Sequence, residues 1–232
     1  MKSIQKSKRN LTLAKVIVSL VLTVLLWAVV TDAWGYSKFF LNFPGYSWTK
    51  NLYDLFSRFI WAVPAIVLLL IYANNVPTTL KQLFTNKPNI KPLLISVAVI
   101  VIYNLGAMFV NHGGLWINPQ FSFAKHFPMF IMVAFAEEIV YRGWGLNALS
   151  AFLSVRKANV ISTVFFILLH LPAYFIQAYL GGSFPVQTII TQCTFALILG
   201  LLFGYLYSKG KSLWSPMILH FLADFLSLAL VA

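Results

Sequence analysis

Apolar residues gather in about seven stretches near the length of a membrane span, which needs roughly 20 residues with about 17 as a lower limit. They run from Leu13 to Val30, Phe56 to Tyr72, Leu93 to Val110, Phe127 to Trp144, Ala158 to Tyr174, Val186 to Tyr207 and Pro216 to Val231. The breakers Pro77, Pro88, Pro92, Gly113-Gly114, Pro119, Gly181-Gly182 and Gly210 fall between them. This pattern predicts an all-α, polytopic transmembrane bundle of about seven spans. No soluble domain, low-complexity tail or internal repeat interrupts it. The chain reads as one integrated membrane domain, with about three spans in residues 1–126 and about four in 127–232. Gly200 and Gly204 form a GxxxG pair in the sixth span, which predicts close helix approach and no chemistry.

Composition agrees with the pattern. The 232 residues are 60% hydrophobic and 9% charged, with a mean hydropathy of +0.82, far outside the soluble range. The first span follows Lys2, Lys6, Lys8 and Arg9, as the core of a signal peptide would. No small-residue cleavage site follows it, and Trp34 and Tyr36 resemble an interfacial anchor, so a retained helix is expected. The net charge of +12 does not point to nucleic acid, because the basic residues are spread over loops. A cytoplasmic N-terminus collects most of them on one side, including Lys15, Lys81, Lys87, Lys91, Arg142, Arg156, Lys157, Lys209 and Lys211. Only Lys38, Lys50, Arg58 and Lys125 remain opposite, and the positive-inside rule favours that orientation in the cell membrane. Trp34, Trp48, Trp116 and Trp144 lie near the predicted interfaces, as an aromatic belt would. The single cysteine, Cys193, falls within a span and excludes an internal disulfide or a multi-cysteine metal site.

Against this background the carboxylates are informative. There are five Asp plus Glu, and Glu137, Glu138 and Asp224 lie in apolar sequence. An ionisable group inside a span is costly and marks a proton path, an ion site or a catalytic centre. In the fourth span, Pro128 suits a helix start. Glu138 and Arg142 are spaced i, i+4 and share a face on which they can pair. Glu137 is rotated about 100° from Glu138, so the two carboxylates cannot do the same job. A lone Glu–Arg pair would be explained by helix packing. A second, unpaired carboxylate is not, and desolvation suits it to general-base work.

Phe166 and His170 share a face of the fifth span, where a histidine alone would read as a packing residue. His220 and Asp224 are again i, i+4 in the seventh, and a carboxylate there fixes the imidazole's tautomer and orientation or simply makes a local hydrogen bond. Three helices thus each contribute one polar cluster. Glu137, His170 and His220 suit hydrolysis in two ways: a glutamate and a histidine activate water without metal, or two histidines and a carboxylate hold a zinc ion. His112 and His126, around the loop between the third and fourth spans, are expected to be solvated.

Glu137-Glu138-Ile-Val-Tyr-Arg142 looks like an EExxxR motif, Phe166 to His170 like FxxxH, and His220 to Asp224 like HxxxN/D. In that order on successive membrane helices they resemble the family of CAAX proteases and bacteriocin-processing enzymes, also called the Abi family. Gly200-Leu-Leu-Phe-Gly204-Tyr-Leu-Tyr followed by Ser212-Leu-Trp-Ser-Pro216 is similar to that family's approach to its last histidine. The resemblance covers about Phe127 to Ala232. It implies an intramembrane endopeptidase acting on membrane-associated peptides or proteins through a site open toward the aqueous side. In that scheme Glu137 activates water with His170 assisting, His220 and Asp224 stabilise the oxyanion, and Arg142 locks Glu138, with Phe166 in support. Eukaryotic members typically carry asparagine at the position of Asp224, and an ionised aspartate cannot donate to an oxyanion. Here Asp224 would therefore orient or charge His220, and the resemblance points to a bacterial member engaged in peptide maturation or bacteriocin self-immunity.

Two competing classes use the same residues. A proton-coupled transporter also needs intramembrane Glu, His and Asp, but the paired interrupted spans of inverted repeats are missing. A non-catalytic scaffold or immunity factor would keep the fold and bind a partner. Depth also has to be reconciled. At 1.5 Å per residue Glu137 lies about 10 Å, His220 about 7 Å and His170 about 18 Å from the predicted cytoplasmic span ends. Convergence requires the connection from Gly143 to Lys157 to dip into the bilayer or the helices to tilt, with Pro172 breaking the helix after His170.

Overall fold

The computed structural model describes residues 10–40, 46–179 and 184–231. Lys2, Lys6, Lys8 and Arg9 of the charge asymmetry and the Gly181-Gly182 breaker lie outside the described residues, as do the side chains of Trp34, Tyr36, Lys38, Trp48 and Lys50. Long helices dominate: α1 (Leu13–Phe40), α2 (Tyr46–Ile71), α4 (Ile90–His112), α5 (Phe123–Glu138), α7 (Val155–Tyr179), α8 (Val186–Gly210) and α9 (Trp214–Leu230). The short α3 (Leu80–Thr85), a π-helical segment over Ile139–Leu146 and a single turn, α6 (Asn147–Leu149), complete the series. No strand occurs among the described residues, as expected where lipid offers no partner to an unpaired backbone group.

Among the described residues, five helices are long and apolar enough to cross a membrane, over Leu13–Val30, Tyr53–Ile71, Ile90–His112, Val155–Ile176 and Val186–Gly210. Their outward side chains, among them Leu22, Val29, Leu70, Ile102 and Val110, are apolar and exposed from the protein, as a lipid-facing surface requires. The architecture is that of a multi-pass membrane bundle. By length and composition the spans among the described residues number five, where the hydropathy pattern predicts about seven. The other two predicted spans are an interior helix and the shorter apolar α9.

The interior helix explains how the polar residues converge. From α5 the chain passes without a break through the π segment and α6, and every residue from 136 to 149 is buried. The peptide N–H of Asn147 donates to the carbonyl of Arg142, five residues back, so this turn holds an extra residue; such π turns recur at functional sites. α2, α5 and α7 pack against the segment. The connection from Gly143 is therefore enclosed by protein as far as Leu149, whereas residues 154–157 are exposed. Asn147 closes it by accepting the Thr78 N–H at 3.1 Å and donating to the Thr78 carbonyl at 2.6 Å.

Three local expectations, at Trp144, Pro128 and Pro172, are corrected. Trp144 is not in an interfacial belt: it is fully buried and donates to Ser19 Oγ at 2.8 Å, because the π segment carries it into the core. Pro128 does not start its helix, which begins five residues earlier, and α7 runs through Pro172 to Tyr179. Packing neighbours can re-satisfy the backbone groups a proline frees in a membrane helix. Arg58 belongs to α2 and lies inside the apolar stretch Tyr53–Ile71. Of the two loop histidines, His112 stacks on Trp116 and His126 accepts the Ser122 N–H.

The glycine pair of α8 faces α7. A Cβ on Gly200 would meet Thr163 Cγ2 at 2.7 Å and the Phe166 ring at 3.3 Å, and one on Gly204 would collide with Asn159. The two helices therefore approach more closely than any side chain at these positions would permit, as a small-xxx-small pair allows.

Candidate active site

Glu138, at the end of α5, is fully buried, and one of its oxygens organises the site. Oε1 accepts Arg142 Nη1–H at 2.9 Å and His220 Nδ1–H at 2.9 Å. Arg142 also donates through Nη2 to the Gly200 carbonyl at 2.9 Å. Its guanidinium lies over Phe166 at 4.5 Å and Phe203 at 5.2 Å, so two rings present π density to the cation. The closeness of α8, which the glycine pair permits, brings the Gly200 carbonyl within reach. Glu138 Oε2 has no hydrogen-bond partner among the described residues.

His220 is held as firmly. Its ring stacks on Phe203 at 4.9 Å with an interplanar angle of 23° and meets Phe166 edge-on at 5.9 Å. An ionised carboxylate only accepts, so Nδ1 carries the proton shared with Glu138. Nε2 then faces two further carboxylates, Glu137 Oε2 at 3.7 Å and Asp224 Oδ2 at 3.5 Å. Both separations are too long for good direct hydrogen bonds and suit a bridging group. The Asp224 side chain is 32% exposed against 5% for His220, so Asp224 stands at the mouth of the site.

His170 is placed differently. It is half-buried, and its Nδ1–H donates to the Phe166 carbonyl at 2.8 Å, which leaves the Nε2 lone pair available in the neutral ring. Its ring lies 5.1 Å from that of Phe166, which also touches His220. The structure thus gathers Glu137, Glu138, Arg142, His220 and Asp224 into one cluster and sets His170 one aromatic ring away. Glu138, which sequence reading paired with Arg142 alone, also fixes His220. Phe203 and the Gly200 carbonyl were missed as site groups. Their signal was only that Phe203 follows Gly200 by three residues, on the same helix face.

The zinc arrangement of Glu137, His170 and His220 does not fit this geometry. Among the described residues no three His, Cys, Asp or Glu side chains are placed to hold a metal ion. No step below is routed through a metal.

Residues 119–226 match the family model described as Type II CAAX prenyl endopeptidase Rce1-like. No curated protein and no solved structure matches the chain. The matched stretch holds all the cluster residues together with Phe166 and His170, and match and cluster are both consistent with an intramembrane hydrolase. The match supports assigning residues 119–226 to the CAAX/Abi-like protease family.

Proposed function

We propose that this protein is an intramembrane endopeptidase that hydrolyses membrane-associated peptides or proteins with a water activated by Glu137. The observation that carries the reading is the convergence of Glu137 and Asp224 on His220 Nε2 at 3.7 and 3.5 Å, inside a membrane bundle. Glu137 takes a proton from a water placed in that gap, and the water oxygen attacks the peptide carbonyl carbon. His220, protonated on both nitrogens, donates from Nε2 to the developing oxyanion. Glu138 on one nitrogen and Asp224 beside the other support that doubly protonated form. Such preorganised donors commonly supply a large share of catalysis. Glu137 then returns the proton to the departing amine, so water adds across the C–N bond and no other reactant is consumed. His170, through Nε2, assists by accepting a hydrogen bond from water or substrate. Arg142 and Phe166 position Glu138 and His220.

We place the N-terminus in the cytoplasm on the positive-inside argument. The sequence expectation of about seven crossings holds in this reading if the α5–π helix and α9 traverse the bilayer as an inner pair. Residues 127–232 then form the catalytic core and 1–126 its outer support. Peptide maturation or bacteriocin self-immunity in a bacterium is the setting the motifs favour.

The test is cleavage of a mixed pool of lipid-anchored peptides by purified protein in liposomes. New peptide ends are expected with wild type and none with Glu137→Gln. Their absence from wild type, correctly inserted, would replace this reading with a binding or immunity role.

A further inference from the structure

Arg58 is a second cation inside the bundle, and the scheme above does not use it. It lies on α2 three residues before Trp61, which is fully buried and packs on Tyr141 with ring centres 6.0 Å apart. Tyr141 in turn meets Phe166, and Phe166 meets His220. Measured from this aromatic layer, Arg58 on α2, His170 on α7 and Asp224 on α9 are each about one helical turn away. α2 ends beside α3, where the Leu83 carbonyl accepts the Leu213 N–H at the start of α9, and α7 starts at that end too, antiparallel to α8; the three turns therefore all lead to the opposite end of the site, where Asp224 is exposed.

The two arginines are satisfied very differently. Arg142 has a carboxylate, a carbonyl and two aromatic faces. Arg58 lies over the Trp27 ring at 5.2 Å, and its Nε is buried with no hydrogen-bond partner among the described residues. The ion pairs of the cluster join Arg142 to Glu138 and His220 to Glu137, Glu138 and Asp224, and do not include it. A guanidinium within a span is retained against its desolvation cost when it has work to do there, and its planar fork of donors matches a carboxylate. Elsewhere around this site Glu137 and Glu138 would repel an anion. Asp224 at the same end, and Asp54 one turn before Arg58 on α2, repel an anion as well, so a negative group on the substrate is favoured only in direct contact with the Arg58 guanidinium, and attraction and repulsion together set the register of the peptide.

We infer that Arg58 is a substrate-binding residue whose guanidinium holds a carboxylate of the bound peptide at the end of the site where Asp224 is exposed. That the ligand is a peptide rests on the proposed function; that Arg58 is an anion site does not.

Binding to full-length, detergent-solubilised Glu137→Gln protein, read by fluorescence anisotropy, separates the two. Three labelled pools of apolar hexapeptides serve as probes. One has a free C-terminal carboxylate only, one an amidated terminus with a single glutamate, and one no carboxylate. A carboxylate pool is expected to bind about tenfold tighter than the third, the scale of one charge-assisted hydrogen bond. Which of the two it is assigns the terminal or the side-chain source. Adding Arg58→Gln should abolish the preference while leaving affinity for the third pool unchanged, and adding Arg58→Lys should keep part of it. Equal binding of all pools, or a preference that survives Arg58→Gln, would overturn the inference. Wild type that shows the preference but cleaves no pool would retire the peptidase reading and leave the Arg58 site standing.

Discussion

Replacing Glu138 by glutamine keeps the side-chain volume and one acceptor oxygen but removes the charge that Arg142 and His220 share. Both bonds to Oε1 are 2.9 Å long and buried, and charge-assisted bonds of this kind contribute roughly 1.5–3 kcal/mol each. The new amide would also bring N–H donors to the Oε2 position, where no partner waits among the described residues. Breaking a buried pair by removing one member costs about 3–5 kcal/mol, because the other charge stays desolvated. The expected loss of unfolding free energy for Glu138→Gln is therefore about 3–5 kcal/mol, measured by reversible denaturant titration in mixed micelles. Arg142→Met removes the stranded cation and should fill similar space between Phe166 and Phe203. On that background Glu138→Gln should cost at least about 2 kcal/mol less, as neighbours that share one interaction are non-additive. Strictly additive losses, or a Glu138→Gln protein within about 0.5 kcal/mol of wild type, would refute the view that one buried oxygen organises the site.

Other consequences are simpler to check. Gly200→Ala should destabilise by about 1–3 kcal/mol through overpacking against Thr163, and Thr163→Ala should recover most of that loss in the same titration. Asn147→Ala strands the Thr78 N–H and carbonyl; at about 1–3 kcal/mol for each unsatisfied buried group, it should cost roughly 2–6 kcal/mol in thermal or denaturant unfolding. Cleavage should be unchanged by strong zinc chelators, and inhibition reversed by added Zn²⁺ would contradict the metal-free scheme.

Hydropathy made the membrane spans legible because lipid selects long apolar runs whatever their packing. For the same reason it could not separate a helix facing lipid from one enclosed by protein, which is why the 136–149 segment passed for an ordinary span and Trp144 for an interfacial anchor. α3 was overlooked although Thr79 and Gln82 carry the spacing of a capping box, which the structure forms. Within the site, the Glu138–Arg142 pair could be read from its i, i+4 spacing. The bond from Glu138 to His220 joins residues 82 apart in sequence and depends on how α5 and α9 pack, which no local pattern encodes. Arg58 falls near the start of the predicted stretch Phe56 to Tyr72 and reads there only as a charge on the outer side; that it lies over Trp27 with a buried Nε depends on how α1 and α2 pack.

The most direct test of Glu137 as the water-activating base is made in cells. Wild type and Glu137→Gln would be expressed at equal levels, and the termini of membrane and secreted peptides compared by mass spectrometry. New termini that appear with wild type and vanish with Glu137→Gln are expected. Identical profiles from two correctly inserted proteins, or new termini that persist in the variant, would contradict it.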